Sequence, residues 1–299
     1  MVTEPTDGTA GLEEKEGTPV SFAETALRLG GKSEEEAQRT GAIDEADDQV
    51  ERMFQPQYQT VNSPIHQAVW SRTLPVELFQ SHDVETAENV QTVMDDSVTL
   101  VKEHRTQGTL LDSNNKISEA VLDDLGGVGY WGLLVGREYG GSGASFRSFA
   151  PFLTRMALVD GNIAGLASVH GCIGAVDPVR TFGSPEQKQR FLPGLARGER
   201  ISGFALTEPG AGSDLTALKT RAERHGDHFL VNGEKLFITN AMPGRTIGLV
   251  CLVDDAPAVL ICELPDEEND QVRFNKYGLH ALKQQHNQGI IFKDFRVPL

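Results

Sequence analysis

At 299 residues and a formal net charge of −16, the chain is long enough for about two domains, each able to bury its own core. That charge argues against nucleic acid or an anionic membrane surface as the main partner. It is unevenly spread, since residues 1–52 hold 14 acidic and 5 basic side chains, or −9 of the −16.

Residues 1–20 are rich in Glu, Gly and Thr and read as disordered. Residues 21–52 read as a solvated acidic tail, with Phe22, Ala26, Leu27 and Leu29 offering a small apolar face, and residues 55–59 as a linker. The acidic start has neither the apolar stretch of a secretory signal nor an Arg-rich, acid-poor transit composition. The longest apolar run, 163–176, is too short for a bilayer. A soluble, cytoplasmic protein without membrane or nucleic-acid partners is expected. Cys172, Cys251 and Cys262 lie scattered in apolar runs without CxxC or Cys/His spacing, which predicts core packing and no metal site.

From Asp83 a helical period emerges. Ala87, Val90, Met94, Val98 and Val101 form one apolar stripe, and the helix ends around His104 and Arg105, where cations suit its negative end. A second helix covers 118–125. Gly127, Gly129 and Gly132 satisfy GxGxxG, but a helix rather than a strand precedes them, so they read as a helix end and loop. Two apolar helices follow, 149–159 and 163–176, the second apolar nearly all round and therefore buried. His170 within it lacks a nearby carboxylate and reads as a packed polar residue rather than a base. Ser184-Pro185-Glu186-Gln187 is a capping box with proline at the first helical position. Its helix is expected to run to about Leu192 and to close at Pro193-Gly194.

After Gly198 the pattern changes to strands: 201–206, 228–231, 234–239, 246–253, 258–262, 272–275 and 289–295. Asn232-Gly233 is a strong hairpin signal between the second and third. The fold class is α+β, an all-helical domain followed by a small antiparallel β-barrel, with a boundary near residue 200.

The stretch 204–214, FALTEPGAGSD, carries the chemistry. It begins as a strand and breaks into a loop whose Gly210 and Gly212 let backbone N–H groups approach an anion. Thr207 and Ser213 add hydroxyl donors. Such a loop suits a cofactor with a heterocycle and phosphates. TEPGAGSD, followed by NGEKLFITN at 232–240, resembles the acyl-CoA dehydrogenase family of flavoproteins. The likeness extends from about residue 85 to the end of the chain and includes YWGLLVGREYGGSG at 130–143, FGSPEQKQRFLPGLARGER at 182–200 and FKDFRVPL at 292–299. It does not cover the first sixty or so residues.

That resemblance implies a leader at 1–60, a helical domain at 61–200 and a middle β domain at 201–299, with the family's C-terminal four-helix domain absent from these 299 residues. It implies FAD as cofactor and acyl-CoA as substrate, with α,β-dehydrogenation as the reaction. Phe204 and Leu206 are expected along the isoalloxazine and the backbone of Ala205, Leu206 and Thr207 at its pyrimidine edge, where Thr207 also offers its hydroxyl. Gly212 and Ser213 are expected at the pyrophosphate, with Ser213 also at the coenzyme A arm. Phe237, where many members carry Trp, is expected over the ring, with Ile238 beside it and Thr239 near flavin N5. Glu208 is expected to tie the loop rather than to catalyse. The family's catalytic glutamate has no counterpart in this chain, so no catalytic residue is named and a fragment form is expected. Electron-transfer flavoprotein as acceptor and homo-oligomerisation of the full-length form are implied as well. An acyl-CoA oxidase and a non-catalytic assembly subunit are the alternatives.

Overall fold

The computed structural model describes residues 27–29, 31, 33–39, 68, 73, 76, 85–277, 279 and 282–299. Two compact units divide the chain at His82 and Asp83. In the first, residues 34–39 are helical, Ala37 is buried, and Arg28 pairs with Glu34 at 2.8 Å. The expectations for residues 1–20 and 55–59, and for Phe22 and Ala26, lie outside the described residues. Leu29 is 85 % exposed.

The second unit opens with α1 (Glu88–Gln107) and α2 (Glu119–Gly127). The α1 stripe buries Val90, Met94, Val98 and Val101. Gly108, at φ 73°, closes α1 as a left-handed cap, and His104 and Arg105 occupy its last turn. Ser118 caps α2 by accepting from the Val121 N–H. The glycines after α2 form a helix end: Gly129 is left-handed at φ 88° and leads into a single 3-10 turn, Tyr130–Gly132. Both aromatics of that turn are buried with their polar tips satisfied. Tyr130 Oη donates to the Ile163 carbonyl at 3.0 Å and Trp131 Nε1 to the Leu122 carbonyl at 2.9 Å. They join Phe149, Phe152 and Met156 of α3 (Phe146–Ala157) and Ile163 of α4 (Gly161–Ser168) in the helical core.

The apolar run 163–176 is not one helix. It passes from α4 into a π segment, Val169–Ile173, breaks at Gly174 and resumes as α5 (Val176–Phe182). A Cβ on Gly174 would lie 2.5 Å from Ser202 Oγ, so the break is where the helical layer presses on the first strand. The next helix, α6 (Pro185–Arg197), starts with the expected capping box but continues through Pro193 to a left-handed Gly198. Proline forfeits one N–H there; burial of Leu192, Leu195 and Ala196 against Val176 and Val179 compensates. Gly198 also lies against Trp131: a Cβ would sit 2.2 Å from its Cδ1. Gly198→Ala combines left-handed strain of roughly 1–2 kcal/mol with that overlap. We expect the urea unfolding free energy to fall by at least about 2 kcal/mol.

Strands β1 (Ser202–Ala205), β2 (Arg221–His225), β3 (His228–Thr239), β4 (Thr246–Val253), β5 (Ala256–Glu263), β6 (Val272–Lys276) and β7 (Asn287–Pro298) make one curled sheet, a half-barrel. Its order is β1-β4-β2-β3-β7-β6, with β5 on the other side of β4. Most pairings are antiparallel; β1 runs parallel to β4, and β2 meets β4 in parallel at Arg221↔Leu252. The class, helices then a small mainly antiparallel sheet, is the one expected. Its core includes Val231, Ile238, Ile247, Leu249 and Ile290 together with Cys251 and Cys262. Burial pushes the Cys251 thiol up to about 11 and raises Cys262 too, so both act as apolar filling.

Two details of the sheet differ from the sequence expectation. Asn232-Gly233 makes no hairpin: β3 runs straight through it, with a register shift against β7 between Val231 and Gly233. Asn232 instead bonds Asp294 across the sheet, Nδ2 to Oδ1 at 3.0 Å and Oδ1 from the Asp294 N–H at 2.8 Å. The turn lies earlier, at Gly226-Asp227, where Gly226 takes φ 62° and joins β2 to β3. Strand β2 was not expected, because Ala222 is its one buried residue and no alternation shows.

Candidate functional site

The two motif strings lie side by side. The Leu236 N–H donates to the Thr207 carbonyl at 2.8 Å, joining the end of β1's extension to β3. Gly203 allows a closer approach still, since a Cβ there would lie 2.4 Å from the Thr239 carbonyl oxygen. A buried ion pair locks the arrangement. Lys235 Nζ donates to Glu208 Oε1 at 2.7 Å and to the Leu206 carbonyl at 2.9 Å, with side chains 0 % and 3 % exposed. Glu208 then accepts from the Lys219 N–H at 2.6 Å and the Thr220 N–H at 3.1 Å, drawing the far end of the loop back to its start. Burial pushes the Glu208 carboxyl up, but the bonds from Lys235, Thr220 and Lys219 outweigh it, and the group ends below its ordinary value. Burial likewise lowers Lys235, against the pull of Glu208. Two backbone donors and a cation on one carboxylate make the ionised pair the form this geometry supports.

Inside this clamp, Gly210 is left-handed at φ 91° and Glu208 and Ala211 exchange backbone bonds in a tight turn. Gly212 and Ser213 are exposed, and a Cβ on Gly212 would meet nothing within 4 Å. The space above the loop is thus open, and the missing side chain leaves it so.

Phe237 stands out on β3. The register against β7 slips between Lys235 and Ile238, an extra residue that makes a β-bulge, and Phe237 takes φ 58°. A bulky residue in the left-handed region costs on the order of 1–3 kcal/mol, which the surrounding structure must offset. Its effect is to turn the ring outward, 52 % exposed, while Ile238 stays buried. Tyr277 supports it, packing edge-on at 5.3 Å between centroids and bonding the Phe237 N–H through its hydroxyl oxygen. Across the ladder, Asn287 Nδ2 donates to the Phe237 carbonyl at 3.1 Å and to Thr239 Oγ1 at 3.0 Å.

Of the residues singled out in the sequence, Phe237, Thr239, Thr207, Gly212 and Ser213 are at least partly accessible, whereas Ala205 and Ile238 face the core and offer only backbone. Phe204 and Leu206 pack on Ala211, Leu218 and Val250. Phe204 also lines an apolar cleft of about 820 Å³ with Cys172, Ile173, Phe182, Phe191 and Val259. Sequence reasoning missed Lys235, Tyr277 and Asn287. Strict alternation puts Lys235 and Ile238 on opposite faces; the bulge between them buries both. Nothing in the sequence marks the bulge.

His170 sits behind the site, 1 % exposed, in edge contact with Trp131 at 5.6 Å. Its Nδ1 accepts from the Ser202 N–H at 2.9 Å, which fixes the start of β1 against the helices. Burial holds its pKa down, at about 4, so it is a neutral packed histidine, as expected. Among the described residues no group of three or more His, Cys, Asp or Glu is arranged to hold a metal, and no helix is long and apolar enough to cross a membrane.

The acyl-CoA dehydrogenase N-terminal domain family matches residues 84–199, and the acyl-CoA dehydrogenase middle domain family matches 203–294. Isobutyryl-CoA dehydrogenase of Dictyostelium discoideum is 31% identical over 193 residues, 63% of this chain and 45% of that protein. A chain solved in work on the electron transferring flavoprotein of Acidaminococcus fermentans is 27% identical with a TM-score of 0.61, covering 73% of this chain and 58% of that one. The acyl-CoA dehydrogenase of Bacillus anthracis, solved with FAD, is 26% identical with a TM-score of 0.58, over 72% and 37%. The chain spans about half the length of the curated relatives it matches. The cytoplasmic location expected from the N-terminal composition is overturned: the Dictyostelium relative and those of rat and cattle are mitochondrial proteins. Composition misled because it judged the leader, which lies outside the residues that the two family models match.

Proposed function

The chain belongs to the acyl-CoA dehydrogenase family, and from that premise we propose that it carries the flavin cradle of an FAD-dependent acyl-CoA dehydrogenase. The observation that supports this most is the clamp that holds TEPGAGSD and LFITN together by the buried Glu208–Lys235 pair, beside an outward Phe237 ring. The residues present fit FAD: an open glycine-lined loop for the pyrophosphate, and an exposed aromatic for the ring. FAD, when bound, supplies the acceptor for the hydride that leaves the substrate's β carbon.

The chain's own residues would bind and orient. Gly212 and Ser213 would hold phosphate oxygens, and Ser213 also the coenzyme A arm. Thr207, with the backbone of 205–207, would meet the polar edge of the ring, and Phe204, Leu206 and Phe237 would bound it. Ile238 contributes backbone, and Thr239 offers its hydroxyl near N5. The cleft of about 820 Å³ beside Phe204, Ile173 and Cys172 offers a mainly apolar wall for an acyl chain. We assign no residue of this chain as the base that takes the α proton. Electron-transfer flavoprotein is the proposed acceptor and a homo-oligomer the proposed assembly. We propose a leader at 1–60, a helical domain at 61–200 and a β domain at 201–299; the matched spans, 84–199 and 203–294, support the division near residue 200.

Gly212→Val tests the cradle. Its Cβ enters open space, so the unfolding free energy is expected to stay within about 0.5 kcal/mol of wild type. FAD affinity, followed by quenching of flavin fluorescence, is expected to fall at least about tenfold, roughly 1.4 kcal/mol. Unchanged affinity would remove the loop from the site, and a wild-type chain that takes up no FAD would overturn the proposal.

A further inference from the structure

Residues 283–285, just before β7, are pinned to the helical layer. Lys116 Nζ donates to the Lys283 and Gln285 carbonyls at 2.8 and 2.9 Å, and the Ile117 N–H to the Gln284 carbonyl at 2.9 Å. Gln285 Nε2 donates to the Asn162 carbonyl at 3.1 Å. Asn240, at the end of the LFITN string, donates its N–H to the His286 carbonyl at 2.8 Å. The next residue is Asn287, buried and directly opposite Thr239 in the ladder.

The orientation of the Asn287 amide follows from its partners. The Phe237 carbonyl only accepts, so the atom 3.1 Å from it must be the nitrogen, and the second N–H of that nitrogen is the one directed to Thr239 Oγ1 at 3.0 Å. Thr239 Oγ1 is therefore an acceptor inside the protein, which leaves its own proton to be donated outward. Asn287 Oδ1 is buried with no partner among the described residues. Leaving that acceptor unpaired typically costs about 1–3 kcal/mol.

We infer that Asn287 is a positioning residue of the flavin site: it holds the Thr239 hydroxyl as an outward donor and anchors the carbonyl of the strained Phe237. The inference rests on the reading that FAD occupies this site. It separates the two sides of one hydroxyl, with the protein donating to its oxygen and the oxygen donating to the cofactor. A carboxylate at 287 reverses the first bond, because it can only accept, and so captures the Thr239 proton.

Asn287→Asp, Thr239→Val and the double variant, each loaded with FAD, form the test. Asn287→Asp and Thr239→Val are each expected to weaken FAD binding about fivefold or more and to shift the visible flavin band in the same direction. The double variant is expected to be no worse than the weaker-binding single one, since both remove the same donated proton. Additive losses, or a folded Asn287→Asp protein with wild-type affinity and band, would overturn the inference. A second measurement does not depend on how the Asp variant folds. In wild type, both Asn287 side-chain amide protons are expected to be protected from exchange and to shift on FAD addition, and Thr239→Val is expected to expose one of them. Unprotected or unmoved signals would equally overturn it. If wild type binds FAD and the cycle is additive, the role of Asn287 alone fails; if wild type binds none, the reading of the site fails with it.

Discussion

Lys235→Met is expected to lower the unfolding free energy by about 3–5 kcal/mol, because it strands the Glu208 carboxylate in a site 3 % exposed. That is a large fraction of the 5–15 kcal/mol typical of a folded domain, so the measurement calls for urea titration at low temperature. The double variant Lys235→Met, Glu208→Leu removes the uncompensated charge, and part of the lost stability is expected to return. FAD affinity is not. Without the carboxylate, the Lys219 and Thr220 N–H groups lose their acceptor and the loop loses its closure. Stability and cofactor retention should therefore part in the double variant, and a single Lys235→Met protein within about 1 kcal/mol of wild type would show that the pair is not the clamp. The pH dependence has a definite sign. Glu208 sits below its ordinary value of 4.5 in the fold, so its contribution is complete above that pH and is lost as pH falls through the lower folded value.

His170 is expected to make the fold acid-sensitive at higher pH. Its pKa is lowered by burial to about 4 from an ordinary 6.5, so the unfolded chain takes up a proton that the fold refuses. Above about pH 6.5 both states are neutral and the group contributes nothing to the slope. Between there and about pH 4 the unfolded state gains, reaching about 2 kcal/mol at pH 5. His170→Gln keeps an acceptor for the Ser202 N–H and cannot titrate. The stability of wild type relative to His170→Gln should therefore shrink by about 2 kcal/mol from pH 7.5 to 5. Other titrating groups cancel in that difference, and a difference independent of pH would mean that His170 is not excluded from water.

Much of the site was legible because it is local. TEPGAGSD carries its own chemistry: glycines where a backbone must come close, hydroxyls beside them, and a carboxylate that the fold uses as a tie. The α1 stripe, the Ser184 capping box and the apolar run 247–253 of β4 were equally plain, since each depends on neighbours within one or two turns or along one strand. The failures share a cause. Pro193 and the run 163–176 obeyed burial against distant partners rather than local propensity, and Asn232-Gly233, a turn by composition, was drawn into a strand by Asp294.

By itself the sequence determined the order of the elements, most of their starts, the family likeness and which loop holds the glycines, because each of these is written in short spacings. Only the tertiary structure decided which side chains meet. Lys235 and Ile238 point the same way because β3 bulges against β7, a strand that begins at residue 287. Asn287 faces Thr239 because Lys116 and Ile117 pin the segment before it to the helical layer. Side-chain parity along a strand is a property of its pairing, and a single extra residue in the register inverts it.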